Sequence, residues 1–150
     1  MSRIYHTLGQ VLENQEIEKE VHLLTLQAPE IARDARPGQF VHIRVTGSYD
    51  PLLRRPFSFH WVGEENFGVL YQVVGRGTKF LSQVRPGDSL DLLGPLGRGF
   101  DLNSASSPLI VAGGLGVAPL LFLAQRLARN RPTVLIGAPT KKQILGEQRM

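Results

Sequence analysis

The chain has 150 residues, 42% of them hydrophobic, no cysteine, and a net charge of +4. Without a thiol it cannot form disulfides, ligate zinc or an iron–sulfur cluster through cysteine, or use a thiol nucleophile. The length suits one sizeable domain, or a small domain plus part of a second, and residues 1–12 lack the basic-then-apolar pattern of a signal peptide. Charge is uneven: residues 1–30 hold five glutamates against Arg3 and Lys19, which leaves +7 on the remainder. Thirteen of the 17 basic residues are arginine, the side chain suited to bidentate phosphate contacts. An anionic ligand and an ordinary solvated basic surface both account for that excess.

Residues 4–12, 21–27, 39–45, 55–62, 68–74 and 89–93 are short runs rich in β-branched and apolar side chains. Turn signals separate them at residues 13–15, at Arg36-Pro37-Gly38, at 63–66 and at Arg85-Pro86-Gly87-Asp88. Six strands at this spacing predict a small antiparallel barrel over residues 1–100. Val41, Ile43 and Val45 alternate with His42 and Arg44, the pattern of a half-buried strand. From residue 109 the pattern changes. Leu109-Ile110-Val111-Ala112 is wholly apolar, as in a parallel strand covered on both faces. Gly113-Gly114-Leu115-Gly116 follows, then a helix over 117–129 with a broad apolar face and Pro119 in its first turn. A second apolar strand covers 133–138. This β–α–β unit starts an α/β domain over residues 101–150. One such unit cannot cover both faces of a parallel sheet, so the second domain is expected to be incomplete, in a fragment or a truncated gene product. The uncharged stretch 109–124 is too short, and too interrupted by glycine and proline, to span a membrane.

Four segments carry chemistry. In Arg54-Arg55-Pro56-Phe57-Ser58-Phe59-His60, Arg55 can clamp a phosphate, Phe57 can offer a flat surface to a ring system, and the Ser58 hydroxyl can bond a ring nitrogen. The same strand also reads as a core stripe of Phe57, Phe59 and Trp61, with His60 near enough to border a ligand. The second segment runs Leu70-Tyr71-Gln72-Val73-Val74-Gly75-Arg76-Gly77-Thr78. It enters a short helix with Phe80, Leu81 and Val84 turned inward. Its glycines admit close backbone approach and Thr78 can cap the helix, which makes either an anion site or a simple Gly-rich turn. Gly94-Pro95-Leu96-Gly97-Arg98-Gly99-Phe100 joins the two units, as a structured linker or as the wall of an interface cleft. Gly113-Gly114-Leu115-Gly116-Val117-Ala118-Pro119 resembles G-x-G-x-x-G with proline in the last position. No acidic residue follows strand 133–138 to bind a ribose. The four histidines have no metal-ligand spacing, and neither a Ser/His/Asp constellation nor paired catalytic carboxylates are evident.

In this order the four segments resemble the ferredoxin–NADP reductase superfamily. Within it they are most similar to the electron transfer subunits of NAD-dependent dihydroorotate dehydrogenase, over residues 4–146. The resemblance implies FAD binding by Arg55, Pro56, Phe57, Ser58, Leu70, Tyr71, Gln72, Gly75, Gly77 and Thr78. Arg55, Gly77 and Thr78 would lie at the pyrophosphate, Phe57 against the isoalloxazine, and Ser58 near flavin N5 as the tuning group. Gly113, Gly114 and Gly116 would lie beside NAD(H). It implies electron flow from NADH through FAD and a [2Fe-2S] cluster to an FMN-containing catalytic subunit in a hetero-oligomer, within cytoplasmic pyrimidine biosynthesis. The cysteines that hold the family's cluster are absent here. Another ferredoxin reductase-like or sulfhydrogenase diaphorase subunit is the alternative. A basic barrel binding nucleic acid is a remoter one and needs exposed aromatics among its arginines. The expected reading has neither nucleic acid nor membrane as partner, and no metal site.

Overall fold

The computed structural model describes residues 3–102 and 106–145. Six strands close into an antiparallel barrel: β1 (Tyr5–Glu18), β2 (Val21–Gln27), β3 (Phe40–Arg44), β4 (Arg55–Val62), β5 (Asn66–Gln72) and β6 (Ser89–Leu96), in the order β1-β2-β5-β4-β3-β6. Alternation decides what fills it. Val41 and Ile43 of β3, Phe59 of β4, Phe67 and Val69 of β5 and Leu92 of β6 are fully buried inside, while the intervening side chains point outward. Phe59 and Phe67 meet edge to face with ring centroids 5.0 Å apart.

The first strand departs from expectation. Residues 13–15 are not a turn: β1 runs on to Glu18, with irregularities at Val11/Glu13 and Glu16/Glu18. The chain reverses at Lys19-Glu20 instead, where Glu20 has φ of 61° and its N–H donates to the Glu16 carboxylate at 2.9 Å. A helix without a sequence expectation, α1 (Pro29–Asp34), starts on a proline and seals one barrel end with Ile31 and Ala32. The helix α2 (Arg76–Leu81) buries Leu81 as expected, but Phe80 is 39% exposed and does not turn inward.

The second unit pairs β7 (Leu109–Gly113) in parallel with β8 (Thr133–Gly137). The single helix expected over 117–129 is three pieces: a 3-10 turn at Gly114–Val117, then α3 (Leu120–Arg126) capped by Pro119, then a 3-10 turn at Ala128–Asn130. Proline cannot donate to the preceding turn, so the regular helix begins after it. One sheet face is covered, with Ile110 and Ala112 each 4% exposed. On the other face Leu109, Val111 and Leu135 are 61%, 66% and 53% exposed, so β7 is not covered on both faces. The unit packs against the barrel: Phe122 of α3 joins the barrel core, and Val117 and Ala118 pack with Val21, Leu23 and Leu70.

Candidate functional site

The strand β4 presents two different faces. Phe57 lies opposite Val41 and Arg55 opposite Ile43, both core residues of β3. Phe57 therefore points into the barrel, where it meets Tyr71 edge-on at 5.6 Å. It supports the strand from behind and does not offer an open ring face. Pro56 and Ser58, opposite His42 and Phe40, are the outward side chains. The expected stripe of Phe57, Phe59 and Trp61 breaks at a register shift between Phe59 and Trp61. That bulge swings Trp61 outside, across Gly68, where any Cβ would collide with its indole. His60, 3% exposed, sits in the same bulge, and its Nδ1–H donates to the Ala118 carbonyl at 2.7 Å. It ties the barrel to the turn after the glycine segment.

Arg55 lies at the barrel rim and donates from Nη1 to the Leu53 carbonyl at 2.8 Å. Its stem lies against α2: a Cβ on Gly77 would come within 2.8 Å of Arg55 Nε. Thr78 Oγ1 accepts from the Val74 and Gly75 N–H groups at 3.0 and 3.1 Å and donates to the Gly75 carbonyl. The hydroxyl is thus spent on closing the turn that aims the helix start. The first N–H groups of α2, at Arg76, Gly77 and Thr78, have no partner within the helix. A guanidinium pressed against such a helix start, with space that only glycine leaves, fits a pyrophosphate group. Arg76 is anchored across the rim by an ion pair to Asp50 at 2.8 Å.

On β5, Leu70 faces outward to the second unit, Tyr71 inward, and Gln72 is exposed. The Tyr71 hydroxyl donates to Asn14 Oδ1 at 3.1 Å, and burial pushes its pKa above the ordinary phenol value. Asn14 Nδ2 donates in turn to the Leu81 and Val84 carbonyls at 2.9 and 3.2 Å, holding the far end of α2. Asn14 is the organising residue that pattern reading missed; for His60, singled out only as a ligand neighbour, it missed the bond that joins the two units. Each acts on a group more than 50 positions away.

Gly113, Gly114 and Gly116 have nothing within 4 Å of a Cβ placed on them, and Gly114 takes φ of 51°, which only glycine adopts readily. Gly114 and Leu115 share a cleft of about 460 Å³ with Glu18, Glu20 and Gln72. The structure therefore brings the expected nucleotide segment and one end of the expected flavin set to one opening. Among the described residues no group of three or more His, Asp or Glu side chains could hold a metal ion, and no helix is long and apolar enough to cross a membrane.

The barrel with its rim helix and the adjoining β–α–β unit form a ferredoxin reductase-like fold. No protein-family model matches the sequence. The structure superposes on that of an NADH-dependent reduced ferredoxin–NADP oxidoreductase with a TM-score of 0.85 and 29% identity, over 96% of this chain and 53% of that one. It superposes on phthalate dioxygenase reductase with a TM-score of 0.72 and 19% identity, over 94% and 46%, a likeness of fold alone. In sequence the chain is 45% identical over 150 residues to the dihydroorotate dehydrogenase B (NAD(+)) electron transfer subunit of Desulforamulus reducens, covering 97% of this chain and 56% of that protein. It is 38% identical over 156 residues to the same subunit of Bacillus pumilus, covering 99% and 59%. Within the ferredoxin reductase-like class, the chain is a homologue of the electron transfer subunits of dihydroorotate dehydrogenase B. It spans a little over half the length of these curated relatives.

Proposed function

We propose that residues 1–100 bind FAD on the outside of the barrel and that residues 101–150 form the first part of an NAD-binding domain. The chain then serves electron transfer from NADH toward a dihydroorotate dehydrogenase catalytic subunit. The observation that carries this reading is the meeting of Gln72 from the barrel and Gly114 from the β–α–β unit at one cleft. A carrier between two redox groups needs both within one opening. The Arg55–Gly77 contact supplies an anchor for the flavin's phosphates.

Bound FAD would supply the redox chemistry, accepting electrons from a nicotinamide and releasing them onward. The protein supplies position. Arg55 neutralises pyrophosphate charge, Gly77 lets the backbone approach, and Gly75 and Thr78 shape the turn. Leu70, Tyr71 and Gln72 present the β5 backbone. Ser58 offers a hydroxyl that donates or accepts at the ring edge, with Pro56 beside it and Phe57 stiffening the strand from inside. His60 fixes the second unit against this strand. The cytoplasm and an FMN-containing partner subunit in a hetero-oligomer belong to the same proposal. A [2Fe-2S] cluster would take its ligands from outside these 150 residues, which contain no cysteine.

The test is a spectroscopic titration of the purified chain with FAD. A bound-flavin spectrum is expected, weakened by Arg55→Ala and by Thr78→Ala. Absence of a flavin complex, with salt-sensitive binding to single-stranded DNA, would reject the proposal in favour of a nucleic-acid module.

A further inference from the structure

The arginine excess is only partly absorbed by the flavin anchor. A second cleft, of about 590 Å³, opens where the segment after α1 meets the linker and the end of α3. Arg3, Arg33, Arg36 and Arg126 line it, against the carboxylates of Asp34 and Asp101. Asp34 is already engaged, accepting from the Tyr5 hydroxyl at 2.9 Å. The four guanidinium groups outnumber the two carboxylates of this wall. Two are steadied on ring faces: Arg3 lies 5.4 Å from the Tyr5 centroid and Arg126 lies 5.2 Å from that of Phe122. Four like charges around one concavity repel, and an anion with several charges relieves that repulsion.

The wall contributes a second kind of contact. Phe100, the last residue of the Gly94–Phe100 segment, lines the cleft and is 48% exposed. It is fixed from behind: its N–H donates to the Pro37 carbonyl at 2.9 Å, and its ring packs so close to Gly38 that a Cβ there would come within 2.8 Å. An exposed aromatic ring held rigidly on the wall of a cleft beside four arginines matches a flat base joined to a phosphate chain. We infer that this cleft binds a nucleoside polyphosphate, with its base on Phe100 and its phosphates among Arg3, Arg33, Arg36 and Arg126. The site is separate from the proposed flavin and NAD positions. Arg55, Gly77 and the glycines at 113–116 do not line it, and Arg126 stands at the opposite end of α3 from the glycine segment.

The experiment is calorimetric titration of the 150-residue chain, free and FAD-loaded, with ATP, tripolyphosphate and adenosine at low salt. ATP is expected to bind more tightly than tripolyphosphate, with adenosine weakest, and its affinity should fall as salt rises. The Arg33→Gln/Arg126→Gln double variant should weaken ATP and tripolyphosphate by about tenfold or more. Phe100→Ala should weaken ATP alone. ATP binding that vanishes on FAD loading or with Arg55→Ala would assign it to the flavin site and overturn the inference. So would an affinity indifferent to the double variant. Equal binding of ATP and tripolyphosphate would remove the base from the proposal and overturn the nucleotide assignment.

Discussion

The contact between Arg55 and Gly77 makes a sharp prediction, because two neighbouring glycines should respond differently. A Cβ on Gly77 would come within 2.8 Å of Arg55 Nε and 3.3 Å of its Cγ, so the Gly77→Ala substitution pushes the guanidinium off the start of α2. A Cβ on Gly75 meets nothing within 4 Å, and its φ of −169° is extended backbone open to any residue. In a helix, alanine is favoured over glycine by roughly 1 kcal/mol, which offsets much of the cost of moving a flexible arginine. The apo protein should therefore melt at nearly its original temperature with Gly77→Ala, and slightly below it with Gly75→Ala, since alanine is the poorer residue at the N-cap that Gly75 occupies. Flavin binding should separate them. A charge-assisted hydrogen bond is worth about 1.5–3 kcal/mol, so losing Arg55 from the pyrophosphate weakens the FAD Kd roughly 10- to 100-fold for Gly77→Ala. Gly75→Ala should stay within about twofold. Quenching of flavin fluorescence on titration measures both. Equal affinities for the two variants, with folding intact, would refute the anchor.

Three further outcomes follow from the packing. Asp91 binds Arg54 at 2.7 Å and His6 at 2.7 Å; burial works against its carboxylate, but these bonds outweigh it and hold the pKa below the ordinary 3.8. Its contribution is complete above the ordinary carboxylate range and is lost as pH falls through the lowered value, so Asp91→Asn should cost about 0.5–1 kcal/mol at neutral pH. Urea melts at several pH values should show the gap between wild type and variant closing in acid; a constant gap would contradict the ion pair. Phe59→Ala removes a fully buried ring from the barrel centre and should cost about 3–5 kcal/mol in chemical denaturation. His60→Ala breaks the bond to Ala118. Hydrogen exchange should quicken in residues 117–126 more than in β3, and uniform acceleration would mean that His60 serves only general packing.

The barrel was legible because alternation is a local signal. Val41, Ile43 and Val45 announce their face without reference to any partner. The run of β1 from Glu13 to Glu18 was hidden, since an exposed strand arm rich in glutamate carries no apolar period. So was α1, whose six residues are too few to show one. The site shows the same division. Residue types marked the segment proposed to hold flavin, but the face each side chain takes depends on its partner strand. Phe57 is inward because Val41 lies opposite, and Trp61 is outward because a bulge beside Gly68 shifts the register. Asn14, and the role of His60 in joining the two units, escaped for a further reason: each side chain completes a backbone group brought near only by the closed fold.

The closure of the barrel also restricts how this protein can be extended by strand pairing. All six barrel strands have neighbours on both sides, but the pairing is staggered: in β1, Tyr5–Gln10 pair with β6 and Gln10–Glu18 with β2. In the two-stranded parallel sheet, β7 and β8 are paired only with each other. Each therefore keeps one side unpaired along its whole length, to which a further strand can add by hydrogen bonding.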